Sequence, residues 1–139
     1  MRRQRIAAAV VATIVLSAAG CGNPGGDIIA IEVREPTAGT PIQRLVVTDD
    51  GRGRCNAGEL ERLDSSRLLE AREVERELDE LERSEFPGPS GRRSYRAVMR
   101  DATVTWIEGA REPPVLAKAT LLALNLRREL CPGGGSAAP

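Results

Sequence analysis

The N-terminal twenty residues set the first constraint on the fold. They have the pattern of a segment that is removed, so that only the rest of the chain must fold. Three arginines among the first five residues form a short basic segment, and an apolar run follows from Ile6 to Ala19. This run is too short for a comfortable membrane span and it ends in small residues, which is typical of a secretory signal peptide. We therefore expect residues 1–20 to be cleaved and the rest of the chain to fold outside the cytoplasm.

The end of this segment carries a second pattern. Residues 18–21 read AAGC and follow Leu16 and Ser17, and they resemble the lipobox of bacterial lipoproteins, although Ala18 stands where leucine is more common. In that family the cysteine thiol receives a diacylglycerol, the signal peptide is cut before the cysteine, and the new amino terminus can be acylated. The resemblance implies lipidation at Cys21 and stable anchoring on the extracytoplasmic face of the cell membrane by two or three chains. The alternative is a plain signal peptide that a cysteine happens to follow.

The charge balance bears on the partners. The full chain has 20 basic and 20 acidic side chains, so that loss of the three N-terminal arginines leaves a net charge of −3. This balance favours neither nucleic acid nor anionic lipid as a partner. We expect membrane contact through the lipid at Cys21, an unknown protein or envelope partner, and no nucleic acid.

The periodicity of the remaining chain predicts one α+β domain at 27–131. A flexible tether at 21–26 precedes it, and a glycine-rich tail at 132–139, disordered by composition, follows it. Apolar and polar residues alternate as in β-strands over several segments. The predicted strands are 28–34, 42–48, 94–99 and 103–108, with a possible short strand at 54–57.

Two amphipathic segments are predicted to be helices. The first begins at Asp64-Ser65-Ser66, which offers an N-cap, and runs to about Ser84, with one narrow apolar stripe. The second opens at Pro113 and Pro114 and has a wider apolar face, which Leu121 and Leu124 are expected to extend. Hairpins and two helices together predict a two-layer sandwich, with an antiparallel sheet of four or five strands and both helices on one face.

Two cysteines remain when Cys21 is assigned to lipid. An exported chain with two such residues most simply pairs them, which predicts a disulfide between Cys55 and Cys131. A metal site would need more ligands than two thiols, and a catalytic cysteine would lack a histidine base, because the chain contains no histidine. We expect no metal and no cofactor.

The carboxylates of the first predicted helix are the residues most suggestive of catalysis. Glycosidases use paired carboxylates, and four glutamates recur here, at Glu70, Glu73, Glu77 and Glu80. Arginines are interleaved with them, which favours a solvated face crossed by salt bridges. We therefore expect no catalytic residue, and an enzyme that acts through carboxylates remains the weaker alternative.

The order of predicted elements carries a second resemblance. A hairpin with a glycine-containing loop, IEVREPTAGTPIQRLVV, is followed by an amphipathic helix, a hairpin, SYRAVMRDATVTWIEG, and a Pro-Pro-initiated helix. Over residues 28–130 this order resembles emfourin, a family of small inhibitors of thermolysin-like metalloproteases, and actinobacterial lipoproteins of unknown function. Emfourins lack a lipid anchor and the cysteine pair, so no inhibitory residue is assigned.

These patterns predict a non-catalytic domain that binds an envelope or extracellular component. The emfourin resemblance implies an alternative, the inhibition of an extracytoplasmic metalloprotease. In that case we expect a loop such as 36–41 or 49–53 to enter the protease cleft.

Overall fold

The structure is a computed structural model that describes residues 26–133. The predicted signal peptide, the predicted lipidation site at Cys21 and most of the predicted tether lie outside these residues. The predicted tail lies outside them beyond Gly133.

Seven strands and two helices make up the described chain. Their bounds are β1 Asp27–Arg34, β2 Gln43–Thr48, β3 Arg52–Cys55, β4 Glu61–Arg62, α1 Ser65–Asp79, β5 Glu85–Phe86, β6 Ser94–Val98, β7 Thr103–Ile107 and α2 Val115–Leu130. The α+β class is therefore confirmed, and β1, β2, β6 and β7 lie within one residue of their predicted bounds.

All seven strands form one sheet, in the order β4-β3-β2-β1-β6-β7-β5. The prediction of four or five antiparallel strands is wrong on two counts. The sheet has two further strands, β4 and β5, and β5 pairs with β7 in parallel, so that the sheet is mixed. Both extra strands are two residues long and lie at the edges, where short strands limit pairing with other chains.

The third strand lies two residues earlier than predicted. It ends at Cys55, because Asn56 takes a left-handed backbone conformation with φ of 54°. The Asn56 side-chain oxygen accepts a hydrogen bond from the Arg44 backbone amide at 2.9 Å, and the Asn56 amide donates to the Arg44 carbonyl at 2.7 Å. These two bonds fasten the turn to β2 while ending the strand.

Helix α1 begins as predicted and ends five residues early. Asp64 caps it, since its carboxylate accepts from the Ser66 amide at 3.0 Å. The helix ends at Asp79 instead of Ser84. The Ser84 carbonyl accepts from the Thr105 amide at 2.7 Å, so that the chain at this point has already joined the sheet beside β7.

Helix α2 follows the two prolines as predicted, and its core face is narrower than predicted. Leu122 and Leu126 are fully buried, but Leu121 is 55% exposed and Leu124 is half-buried. One side of α2 faces both the sheet and α1, and Leu121 lies outside that side and is exposed to solvent.

Both helices pack on the same face of the sheet. Alternate residues of β1 (Ile29, Ile31 and Val33) join one hydrophobic core with the buried residues of α1 and α2. Trp106 is also buried there, stacked on Tyr95 with ring centroids 5.3 Å apart, and its indole nitrogen donates to Thr120 Oγ1 at 2.9 Å. Within residues 26–133, no helix covers the second face of the sheet.

The predicted disulfide is present. Cys55 at the end of β3 is bonded to Cys131 directly after α2, across a sequence separation of 76 residues. The bond ties the C-terminal end of the helical layer to the sheet.

Candidate binding face on the sheet

The helix-free face of the sheet is the most distinctive surface of the described chain. The strand register places six arginines on it, from five neighbouring strands. We call this surface the arginine face, and its defining residues are Arg34, Arg44, Arg52, Arg54, Arg62 and Arg96. At a strand spacing of about 4.8 Å the five strands span about 19 Å.

Two carboxylates neutralise part of this charge. Glu32 lies between Arg44 and Arg96 across three strands, at 2.9 Å and 3.4 Å from their guanidinium nitrogens. Asp50, in the turn between β2 and β3, contacts Arg52 at 2.6 Å. Hydrogen bonds from Arg52 and Thr48 hold the pKa of the Asp50 carboxyl below its usual value. These pairs fix three of the six guanidinium groups in place.

The other three arginines are different. Among the described residues, Arg34, Arg54 and Arg62 form no ion pair with a carboxylate. Arg34 and Arg62 are exposed, whereas Arg54 is half-buried. The Arg54 Nε is shielded from solvent and has no hydrogen-bond partner within the described chain. A buried N–H without an acceptor is costly, so that an anion at this position would relieve a penalty that the free protein carries.

Arg54 also has a packing role. The register places it directly beside Val46, and Val46 beside Ala30, on the face that carries no helix. Val46 and Ala30 are nevertheless only 1% and 2% exposed. Their neighbours on this face include long arginine side chains, whose apolar stems cover such residues while the charged ends stay near water.

Charge is distributed unevenly over the described chain. The strand positions of the helix-free face hold six arginines and three carboxylates, Asp27, Glu32 and Glu85, which gives a net charge of +3. The described chain as a whole has a net charge of −3. The rest of it therefore carries −6, and the overall balance used in the sequence prediction conceals a positive face.

Three of the four glutamates that suggested catalysis form ion pairs. Lys118 of α2 bridges to Glu73 at 3.0 Å and Glu77 at 2.7 Å, and Arg67 contacts Glu70. The hydrogen bond and charge of Lys118 hold the pKa of the Glu73 carboxyl below its usual value. Glu80 is the C-terminal cap of α1. Lys118 therefore joins α2 to α1 through Glu73 and Glu77, whereas Glu70 pairs within α1.

A second charged cluster lies at the start of β1. Five carboxylates (Asp27, Asp49, Glu75, Asp79 and Asp101) surround a shallow depression that contains one arginine, Arg100. Burial, with a contribution from the nearby Asp79 charge, raises the pKa of Glu75. This acidic end is where the predicted tether joins the domain.

The two loops considered for protease inhibition lie at opposite ends of the sheet, because β2 runs between them. Residues 36–41 are all exposed. The turn at 49–53 is closed instead, since Gly51 and Gly53 are buried and Thr48 Oγ1 accepts from the Arg52 amide at 3.2 Å. A single protease cleft therefore cannot bind both loops at the same time.

No group of three or more Asp, Glu or Cys side chains within residues 26–133 has the geometry to hold a metal ion. Neither of the two helices in that range is long and apolar enough to cross a membrane.

Comparison with known proteins found no matching family model, no matching curated protein and no matching solved structure. The lipobox and emfourin resemblances therefore remain predictions.

The sequence prediction missed the arginine face. Its signal was present at the polar positions of the alternating strands, where arginine recurs at 34, 44, 54 and 96. These positions become one surface only when the pairing register is known, because antiparallel neighbours come from distant parts of the chain.

Proposed function

We propose that this chain is a bacterial lipoprotein anchored through Cys21, and that its domain is a non-catalytic module that binds an anionic component of the envelope or the extracellular space. The observation that carries the proposal is the arginine face, with three guanidinium groups that have no carboxylate partner in the described chain.

The chemistry of arginine supports this partner class. A guanidinium group presents five donors in a planar fork that fits carboxylate and phosphate oxygens in pairs. A broad sheet face with six such groups suits an extended anionic surface or polymer better than a small molecule. Three of the four carboxylates that suggested catalysis, Glu70, Glu73 and Glu77, are engaged in ion pairs, which supports a binding role over an enzymatic one.

Binding to soluble polyanions tests the proposal. The mature chain from residue 21, with Cys21→Ser to prevent lipidation, is titrated with heparin and with polyglutamate. We expect binding that weakens as salt is added, since exposed charges are screened. The double variant R34A/R62A should bind more weakly, while the matched control R76A/R128A, which removes two arginines from the helical side, should bind as the parent does.

Equal losses in the two variants, or no binding to either polyanion, would overturn the assignment of the arginine face. Anchoring is tested separately, by the mass of the Cys21 peptide from full-length protein in its native membrane. An unlipidated Cys21 would overturn the anchor and leave the binding assignment standing.

Inhibition of a thermolysin-like metalloprotease is the second candidate, favoured by the complete exposure of the loop at 36–41. We expect an inhibitor to lose its effect on thermolysin when residues 36–41 are replaced by a short glycine-serine turn. Substitution of the exposed Glu59 should leave inhibition intact. Absence of inhibition by the parent chain excludes this function for thermolysin.

A further inference from the structure

We infer that the anionic component is the phospholipid surface of the anchoring membrane itself, and that the domain lies flat with its arginine face against the lipid headgroups. This inference rests on the proposed function, because it uses both the lipid at Cys21 and the anion-binding role of the arginine face. It adds the partner and the orientation of the domain.

The length of chain between the anchor and the fold confines the domain to the membrane surface. Five residues, 22–26, separate Cys21 from the start of β1 at Asp27. Five residues reach at most about 18 Å, less than the long dimension of the sheet. β1 is the central strand of the seven, so that the tether leaves from the middle of one end of the sheet. The domain can meet the membrane end-on, with its helix-free side or with its helical side.

End-on contact is electrostatically unfavourable on an anionic membrane. It would bring the acidic end of the domain against the headgroups, where five carboxylates and Arg100 surround the start of β1 and one of the five, Asp49, is paired with Arg72 at 3.2 Å. The turn on the neighbouring strands adds Asp50, whose charge is paired with Arg52. Like charges within a Debye length of about 8–10 Å repel, which disfavours this orientation.

Contact through the helix-free face is favourable, because the net charge of this face is opposite to that of the headgroups. The strand positions of the helix-free face carry +3, or +2 when Asp50 of the adjoining turn is counted, and Arg34 and Arg62 are exposed and without an ion-pair partner in the described chain. Arginine forms bidentate hydrogen bonds with phosphate oxygens. The two helices on the other side carry six basic and six acidic side chains, so that the helical side has no net charge to attract it to the headgroups.

Vesicle binding of the unlipidated mature chain, Cys21→Ser, tests the partner. The probes are vesicles of phosphatidylcholine alone and vesicles with about one third phosphatidylglycerol. We expect salt-sensitive binding to the second kind only. Since a basic residue near an anionic surface changes affinity about fivefold, R34A/R62A should weaken binding about 25-fold. The control R76A/R128A should change it less than twofold.

The outcomes separate this inference from the proposed function. Binding to heparin or polyglutamate without preference for anionic vesicles would overturn the inference and leave the proposed function standing. Binding to neither would overturn both. Equal vesicle binding by the two double variants would overturn the assignment to the arginine face.

The orientation is tested in the full-length, lipidated protein in anionic vesicles. A fluorophore is attached to a cysteine at exposed Thr103, on the helix-free face, or at exposed Ala117, on the outer side of α2. Quenchers attached to lipid headgroups should quench the label at 103 strongly and the label at 117 weakly. Equal quenching, or stronger quenching at 117, would overturn the face-on orientation.

Discussion

Gly53 of β3 lies so close to Leu130 of α2 that a β-carbon on Gly53 would be 2.8 Å from Leu130 Cδ1. The same β-carbon would be 3.2 Å from both the Val46 carbonyl oxygen and Leu63 Cδ1. The last turn of α2 therefore rests directly on the backbone of β3. The disulfide of Cys55, two residues further along the same strand, joins the same two elements.

This contact predicts that Gly53→Ala destabilises the domain. The end of the Leu130 side chain, at 2.8 Å, must move aside, and the Val46 carbonyl oxygen of β2, at 3.2 Å, is fixed in the backbone, so that the packing around β3 must readjust. Overpacking of this kind costs about 1–2 kcal/mol in the free energy of unfolding, measured by urea denaturation. Gly26→Ala is the control, because nothing lies within 4 Å of a β-carbon there. Equal effects of the two substitutions would contradict the close packing of α2 on β3.

The disulfide predicts a larger effect. Replacing both cysteines in C55S/C131S removes a cross-link across 76 positions, and the chain-entropy model gives a loss of about 4 kcal/mol as an upper figure. We expect urea denaturation to give a decrease of about 2–4 kcal/mol. The parent protein under reducing conditions should behave as the double variant does. A decrease well below 1 kcal/mol would show that other contacts already hold the end of α2 on β3.

The parts of this fold that were predicted correctly are those with a local signal. Strand alternation gave β1, β2, β6 and β7, and the Asp64 cap gave the start of α1, because each depends on residues that are neighbours in sequence. The cysteine pairing needed only the count of cysteines and the predicted export of the chain. The strands at Glu61–Arg62 and Glu85–Phe86 are too short to show an alternation of apolar and polar residues.

The arginine face was missed for a related reason. Whether Arg54 lies beside Val46, and Arg44 and Arg96 on either side of Glu32, depends on the pairing of strands that are distant in sequence. Net charge is a sum over the whole chain and contains no information on position. The exposure of Leu121 likewise depends on the angle at which α2 packs against the sheet and α1.

The hydrogen bond between the buried Trp106 and Thr120 gives a third prediction. Thr120→Val preserves shape but removes the oxygen that accepts from the indole nitrogen at 2.9 Å. Trp106 is 1% exposed, so that water is not available as a substitute partner. We expect a loss of about 1–3 kcal/mol in the free energy of unfolding. Thr120→Ser, which keeps the hydroxyl, should cost less, and the reverse order would contradict this role.

Glu35 predicts a dependence of stability on pH. It accepts from Arg93 Nε at 2.9 Å and from Arg127 at 2.7 Å, and it thereby links the end of β1 to α2. Burial raises the pKa of its carboxyl, but the hydrogen bonds and charges of the two arginines outweigh burial and leave the pKa below the usual 4.5. Its stabilisation is therefore complete above about pH 4.5 and is lost as the pH falls through the lowered pKa.

We expect Glu35→Gln to be less stable than the parent near pH 7, and the difference in unfolding free energy to shrink towards about pH 3. Glu59→Gln, in an exposed loop, is the control and should show no such convergence. A difference that stays constant between the two pH values would mean that the Glu35 charge does not contribute through these arginines.

Arg54 gives the prediction that connects stability to binding. Arg54→Met keeps an apolar stem of similar length over Val46 and removes a buried N–H that has no partner in the described chain. Since an unsatisfied buried donor costs about 1–3 kcal/mol, we expect urea denaturation to show unchanged or increased stability. Arg54→Ala, which also removes the stem, should be less stable than Arg54→Met because it uncovers Val46.

The same substitution should weaken binding of the mature chain to anionic vesicles about fivefold. A variant that is at least as stable as the parent but binds more weakly would show that arginine at this position serves a ligand and not the fold. If Arg54→Met instead lost stability and kept full binding, its guanidinium group would be a structural element, and the anion-binding role would fall to the exposed Arg34 and Arg62 alone.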